Sequence, residues 1–336
     1  MRGQRSRAGS PRRCAARFPA VRTGVVILPD ATWPELRRRW QEAEGRGFHT
    51  GWSYDHLSWR SLRDGPWLGT VPLLGAVAAS TTALRLGTLV TSPNFRHPAL
   101  LAKDAMTLDQ ISGGRLDLGV GAGGQGFDAQ VLGQAAPTPR QRADRFAEFV
   151  DALDLLLREP AVSFRGGFFA AVESRTHPGC VQRPRVPFTI AAAGPRAMRV
   201  AAEHGQIWVT YGPLTSDAPD SGADHGAAAR AWFAGVAEQV ERLDAACHAV
   251  GRDPATLRRM ALAGLDLGWA QQSLGAWEEY TGRLAELGFT EVAIHYPRPH
   301  DPVLPGPPVA VFDAISASLA SASPASAPAA SPHRAN

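Results

Sequence analysis

Lysine is nearly absent from this sequence: Lys103 stands alone beside 34 arginines. Such a bias points to a GC-rich genome rather than to selection for arginine chemistry. Cysteine is scarce too. Cys14, Cys180 and Cys247 are odd in number, far apart and without metal-ligand spacing. They argue against a disulfide framework and a structural zinc, and for a reduced, cytoplasmic chain. No apolar run approaches the ~20 residues of a membrane span. HExxH and HxxEH patterns, a Walker A loop and a G-x-S-x-G elbow are all missing, which weighs against metallohydrolase, NTPase and serine-hydrolase chemistry. No metal site is expected.

Acid is missing from residues 1–22, which hold seven arginines. Taking those seven charges from the net +4 leaves the rest at −3, so the body of the chain is mildly acidic. A nucleic-acid arm or an organelle transit peptide would have this composition. The preferred reading is a disordered basic tail, with neither nucleic acid nor membrane as partner. Residues 316–336 are mostly Ala, Ser and Pro and read as a second disordered tail. Residues 23–315 are then one folded domain.

Within that domain, short apolar strands alternate with amphipathic helices. Strands are expected at Thr23–Leu28, Thr50–Tyr54, Leu84–Val90, Arg115–Gly121, Phe188–Ala192, Gln206–Thr210, Met260–Leu267 and Glu291–His295. Helices fall between them, the clearest at Ala99–Ile111 and Arg140–Leu157. Gly123–Pro139 reads as a long loop and Phe164–Pro187 as irregular. Eight strands in this order suit an α/β fold of the (β/α)8 TIM-barrel type, with insertions in the loops of the C-terminal face. The competing open sheet would carry a GxGxxG turn after its first strand, and Leu28-Pro29-Asp30-Ala31 is not one.

In parallel α/β folds the loops at strand C-termini hold the chemistry. Asp55-His56 closes the second strand, and a histidine there can act as a general acid near neutral pH. A loop histidine without a role is the competing reading. Ser92-Pro93-Asn94 closes the third strand. Gly119, Gly121, Gly123 and Gly124 would let a flat ligand approach the fourth. Ala193-Gly194-Pro195-Arg196-Ala197 leads into a helix whose first amides could bind phosphate. Trp59, Tyr211 and His295 are the candidates for a substrate pocket, with Tyr296 on the same rim. Trp52, Trp67 and Trp208 are weaker pocket candidates, since most aromatic residues fill cores. Arg60, Arg63 and Arg96 could attract an acidic ligand tail.

Several stretches resemble the bacterial luciferase-like family of flavin- and deazaflavin-dependent oxidoreductases: GWSYDHLSW (51–59), TTALRLGTLVTSPNFRHPALLAKDAMTLDQISGGRLDLGVGAGG (81–124), RQRADRFAEFVDAL (140–153) and PFTIAAAGPRAMRVAAEHGQIWV (187–209). The resemblance implies a barrel that binds coenzyme F420 or FMN at its C-terminal rim. His56 would be the proton donor. Asp55, Leu89, Val90, Ser92, Pro93 and Gly123 would meet the ring or its linker, and Ala193, Gly194, Arg196 and Ala197 the phosphate. A non-proline cis peptide is implied near Leu89-Val90. The family's sugar-phosphate dehydrogenases carry a glutamate after the strand-four glycines. Gly124 and Gln125 stand there, which argues against sugar-phosphate oxidation. The aromatic residue after the Asp-His pair is also offset. The implied activity is hydride transfer between F420 and a small organic substrate. An FMN-dependent monooxygenase and a non-catalytic flavin-binding homologue are the alternatives. Relatives are often dimers, so a homodimer is one expectation.

Overall fold

A computed structural model of the chain describes residues 21–59, 62–124, 127–213, 225–264, 268–301 and 304–322. The first apolar run becomes β1 (Arg22–Val26). Pro34 helps open α1 (Trp33–Gly45), because its fixed φ and missing N–H suit a first turn. There follow β2 (Thr50–Ser53), α2 (Thr70–Ser80), β3 (Arg85–Thr88), α3 (Pro98–Ser112), β4 (Leu116–Gly121), α4 (Phe127–Val131) and α5 (Pro139–Arg158). Next come β5 (Ala161–Arg165), β6 (Ala170–Arg175), β7 (Phe188–Ala191), α6 (Pro195–His204), β8 (Ile207–Thr210) and α7 (His225–Ala249). The order closes with β9 (Arg258–Leu262), α8 (Leu274–Glu286), β10 (Glu291–His295) and α9 (Val309–Ala322).

Eight strands form a closed barrel in the order β1-β10-β9-β8-β7-β4-β3-β2. Every pair is parallel, so all eight C-terminal ends share one rim. This is the TIM barrel expected from the alternation. Side chains alternate along each strand. One set packs outward against the helices, as Leu86, Leu118, Ile190 and Trp208 do. The other fills the interior, where Val26, Leu28, Trp52, Tyr54, Ile207, Val209, Met260 and Leu262 form a second cluster. The Trp52 ring crosses toward β3: a Cβ on Gly87 would lie 2.6 Å from it.

The opposite end of the barrel is closed by charge. Glu291 accepts from Arg22 at 2.7 Å and also from Arg258. Arg85 grips Asp117 through two bonds of 2.7 and 2.8 Å. Ion pairs in this half-buried setting pin the strand starts and leave the other rim to the loops.

Several expectations are corrected. The segment 164–187, expected to be irregular, holds the turn and second strand of the antiparallel hairpin β5–β6. Gly166-Gly167 between two strand-forming runs is its turn signal. The carboxylate of Glu148 on α5 accepts from the amides of Gly167, Phe168 and Phe169 and holds the hairpin tip. The loop at 123–139 contains α4. The third strand is shorter than expected and ends at Thr88, and the Leu89–Val90 peptide that follows is cis, where the resemblance implied one. The seventh barrel strand ends at Leu262, and its expected last residues, 265–267, lie outside the described residues. Finally, α9 continues past 315 to Ala322. Alanine-rich composition is compatible with helix as well as with disorder, and Ser316 is buried against Arg46. The remaining tail residues lie outside the described part.

Candidate active site

The chain leaves β2 through Tyr54, Asp55 and His56. Asp55 is buried, and Arg96 from the loop after β3 pairs with both its oxygens, at 2.7 and 3.0 Å. A bidentate pair of this kind fixes both side chains. Arg96 is thus committed to Asp55, which corrects the expectation that it is free to attract a ligand tail. Arg63 is exposed beside Asp64, and Arg60 lies outside the described residues.

His56 is held from α4. Its Nδ1 lies 2.8 Å from Asp128 Oδ2, and the Leu57 amide donates to Asp128 Oδ1 at 2.7 Å. A buried ionised carboxylate only accepts, so Nδ1 carries the hydrogen toward Asp128. Nε2 is then the nitrogen that can exchange a proton. The Trp59 ring lies 4.6 Å from the imidazole, centroid to centroid, and Trp67 Nε1 donates to the His56 carbonyl at 2.8 Å. Sequence reasoning missed Asp128. It sits on a five-residue helix with too little periodicity to read.

The turn after β3 closes on the end of β4. Ser92 and Asn94 are both buried. Asn94 donates to the Gly124 carbonyl at 3.2 Å and accepts from Arg145 of α5. The Arg145 Nε is buried without a partner. Gly123 has φ +76°, and a Cβ there would lie 2.4 Å from Asn94 Nδ2. The strand-four glycines do not open space for a ligand as expected. A Cβ at Gly119 would lie 1.8 Å from the Thr88 carbonyl oxygen, and one at Gly121 would lie 2.7 Å from Val90. It is the neighbouring strand that approaches. Gly124 alone among them has nothing within 4 Å. Gln125 lies outside the described residues.

After β7, Ala193 and Gly194 lead into α6, whose N-cap Gly194 offers no side-chain cap. The first intrahelical bond here runs from the Met198 amide to the Gly194 carbonyl, at 2.9 Å. The Arg196 and Ala197 amides therefore have no helical acceptor. No atom stands within 4 Å of a Cβ built at Gly194. Arg196 reaches sideways to Asp144 on α5 at 2.9 Å, with its own guanidinium largely exposed.

Of the candidate pocket residues, Trp59 stands beside His56 and Tyr211 is exposed just past β8. His295 is buried beneath Tyr54, whose hydroxyl donates to its Nε2 at 2.9 Å. Its other nitrogen donates to the Ala263 carbonyl, and burial pushes its pKa down to about 4, keeping it neutral. Tyr296 is corrected: strand alternation turns it outward, where its hydroxyl donates to Glu42 at 2.9 Å. Trp208 is core between strands and helices, and Trp52 fills the barrel interior. Among the described residues no cluster of three His, Cys, Asp or Glu side chains could share a metal ion. No described helix is long and apolar enough to cross a membrane.

The sequence profile of the luciferase-like monooxygenases matches residues 14–315. An F420-dependent hydroxymycolic acid dehydrogenase of Mycobacterium tuberculosis is 30% identical over 250 residues, which are 72% of this chain and 62% of that protein. An F420-dependent glucose-6-phosphate dehydrogenase of Beutenbergia cavernae is 35% identical over 171 residues, 50% of this chain and 49% of that protein. The chain thus spans only about half to three fifths of the curated relatives it matches. Among solved structures, an F420-dependent secondary alcohol dehydrogenase bound to an F420–acetone adduct superposes with a TM-score of 0.66 at 17% identity, covering 82% of this chain and 93% of the other. That likeness establishes the barrel fold. With this barrel and a profile match across most of its length, the chain belongs to the luciferase-like monooxygenase family.

Proposed function

We propose that this chain is an oxidoreductase that moves a hydride between coenzyme F420 and a small organic substrate, with His56 carrying the accompanying proton. The observation that carries the reading is the His56–Asp128 pair on the same rim as the uncapped start of α6. A parallel barrel brings these two features to one mouth although they follow β2 and β7.

The residues present fit a phosphate-bearing deazaflavin. The Arg196 and Ala197 amides and the positive end of the α6 dipole favour an anion, and the open space at Gly194 admits one. Asp55, buried with both oxygens on Arg96, would back the ring position as part of that fixed pair. Leu89, Val90, Ser92, Pro93 and Gly123 form the edge between β3 and β4 where the ring or its linker would rest, and Ala193 flanks the phosphate position. When bound, the deazaflavin supplies two-electron hydride chemistry. The chain supplies orientation, and Nε2 of His56 gives or takes the proton, depending on direction.

The reading extends to a reduced, cytoplasmic setting, which the two buried free thiols Cys180 and Cys247 support. It also extends to a homodimer. Leu100 and Ile111 are both exposed and sit three turns apart on one face of α3, a surface suited to a second copy.

Anaerobic titration of the protein with F420 and, separately, with FMN tests the cofactor. Saturable F420 binding followed by fluorescence, and its loss of hydride transfer on His56→Ala, are the expected results. Preferential FMN binding with oxygen consumption would overturn this reading in favour of a monooxygenase. Cofactor binding without turnover of any alcohol or carbonyl would point to a non-catalytic homologue.

A further inference from the structure

Arg145 stands in the second turn of α5, and its guanidinium reaches the seam between the loops after β3 and β4. There a terminal nitrogen donates to Oδ1 of the buried Asn94, whose Nδ2 donates in turn to the Gly124 carbonyl at 3.2 Å. Asn94 is thereby used on both sides. The chain presses on it as well, since Gly123 leaves no room for a Cβ beside its amide. The cation is thus fixed in place at the rim.

What it lacks is a counter-charge. Arginines around it have one: Arg96 pairs with Asp55, and Arg140 and Arg196 both reach Asp144. Asp144 is the preceding residue, but adjacent positions on a helix do not face each other. Among the described residues no carboxylate pairs with Arg145, and its Nε is buried with no acceptor. Burial strips water from this half-buried group, and Arg142, three positions earlier, adds a like charge; both pull its pKa down. An arginine keeps its proton all the same. A cation held partly out of water without a partner is costly. An oxyanion placed on it offsets that cost through charge-assisted N–H···O bonds.

The position adjoins the start of α6. Gly121 of β4 is paired with Ala191 of β7, and Gly124 and Gly194 each stand three residues beyond that pair. Both have open space around a built Cβ. Arg196 ties the first turn of α6 to Asp144, the chain neighbour of Arg145. The fixed guanidinium and the bare Arg196 and Ala197 amides therefore share one sector of the mouth. One supplies full charge, the other N–H donors and the helix dipole.

We propose that Arg145 is an anion receptor, which takes a phosphate or carboxylate group of the ligand that enters between the ends of β4 and β7. It binds and positions that group and has no part in the proton transfer at His56. Assigning the anion to a cofactor phosphate rests on the deazaflavin reading; the anion site itself does not.

Thermal unfolding of the full chain at constant ionic strength tests the site with no cofactor present. Replacing chloride by inorganic phosphate is expected to raise the wild-type midpoint by about 2 °C or more. Arg145→Gln, which keeps a donor for Asn94, and Arg145→Met should both lose that shift, and Arg145→Lys should keep part of it. A wild type that phosphate does not stabilise overturns the proposal. So does a shift that survives in the neutral variants, which would leave Arg145 a structural clamp on Asn94. Fluorescence titration with oxidised F420 and with its phosphate-free riboside assigns the source. If the anion is the cofactor's, Arg145→Gln weakens F420 about tenfold or more and leaves the riboside within about twofold. If it weakens neither while the phosphate shift is lost, the anion is the substrate's. If F420 does not bind the wild type but phosphate stabilises it through Arg145, the anion site stands and the cofactor reading falls.

Discussion

The Nδ1 atom of His56 lies 2.8 Å from Oδ2 of Asp128, across 72 positions of sequence. The second oxygen of the same carboxylate takes the Leu57 amide. One buried side chain therefore sets the ring orientation and the backbone that carries it. Asp128→Asn can offer an amide N–H to Nδ1 and so reverse the tautomer. We expect kcat to fall roughly 10- to 100-fold with F420 affinity unchanged, and Asp128→Glu to restore part of it. His56→Ala should cost roughly 10²- to 10⁴-fold. The double variant should be no worse than His56→Ala, because both act through one imidazole. Equal losses in cofactor affinity and kcat would assign Asp128 a structural part only.

The N-cap of α6 separates stability from cofactor binding. Gly194 has φ −93° and open space around a built Cβ, so an aspartate fits there. Gly194→Asp caps the helix and should leave stability unchanged or raised by a few tenths of a kcal/mol. The same carboxylate occupies the anion position and repels a phosphate. F420 affinity should therefore fall about tenfold or more while thermal unfolding shows no loss. A variant that binds F420 normally would remove α6 from the proposed site.

Buried neutral histidines make the fold acid-sensitive. Burial lowers the pKa of His295 from 6.5 to about 4, and that of His49 from 6.5 to about 4. Below 6.5 the unfolded chain binds protons that the folded chain refuses. Stability is thus complete above 6.5 and falls as the pH drops from 6.5 toward 4. For the fully enclosed His295 the loss is on the order of 3 kcal/mol at the lower end. Denaturant unfolding across this window should show the slope, and His295→Gln should flatten it.

Two neighbouring glycines should behave oppositely. Gly119→Ala drives a methyl to 1.8 Å from the Thr88 carbonyl oxygen, so the β3–β4 ladder must shift. A loss of roughly 2–4 kcal/mol is expected from overpacking of this kind. Gly124→Ala meets nothing within 4 Å and should be close to neutral in unfolding midpoint.

Much of the barrel is legible locally. TGVVIL, QIWVT and EVAIH carry strand character within six residues, and Pro34, Pro98 and Pro195 mark helix starts through their fixed φ. The rim residues Asp55, His56, Ser92 and Gly194 follow from that reading, because strand ends in a parallel barrel share one face. The hairpin at Ala161–Arg175 is marked in the sequence only by Gly166-Gly167 between two short strand-forming runs. Helix α4 carried no signal, since five residues cannot display a period.

The sequence alone determined the alternation of strands and helices, the closed parallel architecture and the side of the barrel on which chemistry sits, because period, turn residues and handed connections act over short distances. Only the tertiary structure decided the partners. Arg96 with Asp55, Asp128 with His56 and Tyr54 with His295 join residues 41, 72 and 241 positions apart. Each pairing depends on how separate loops pack over one mouth, and no local propensity encodes which carboxylate a given cation or imidazole will meet.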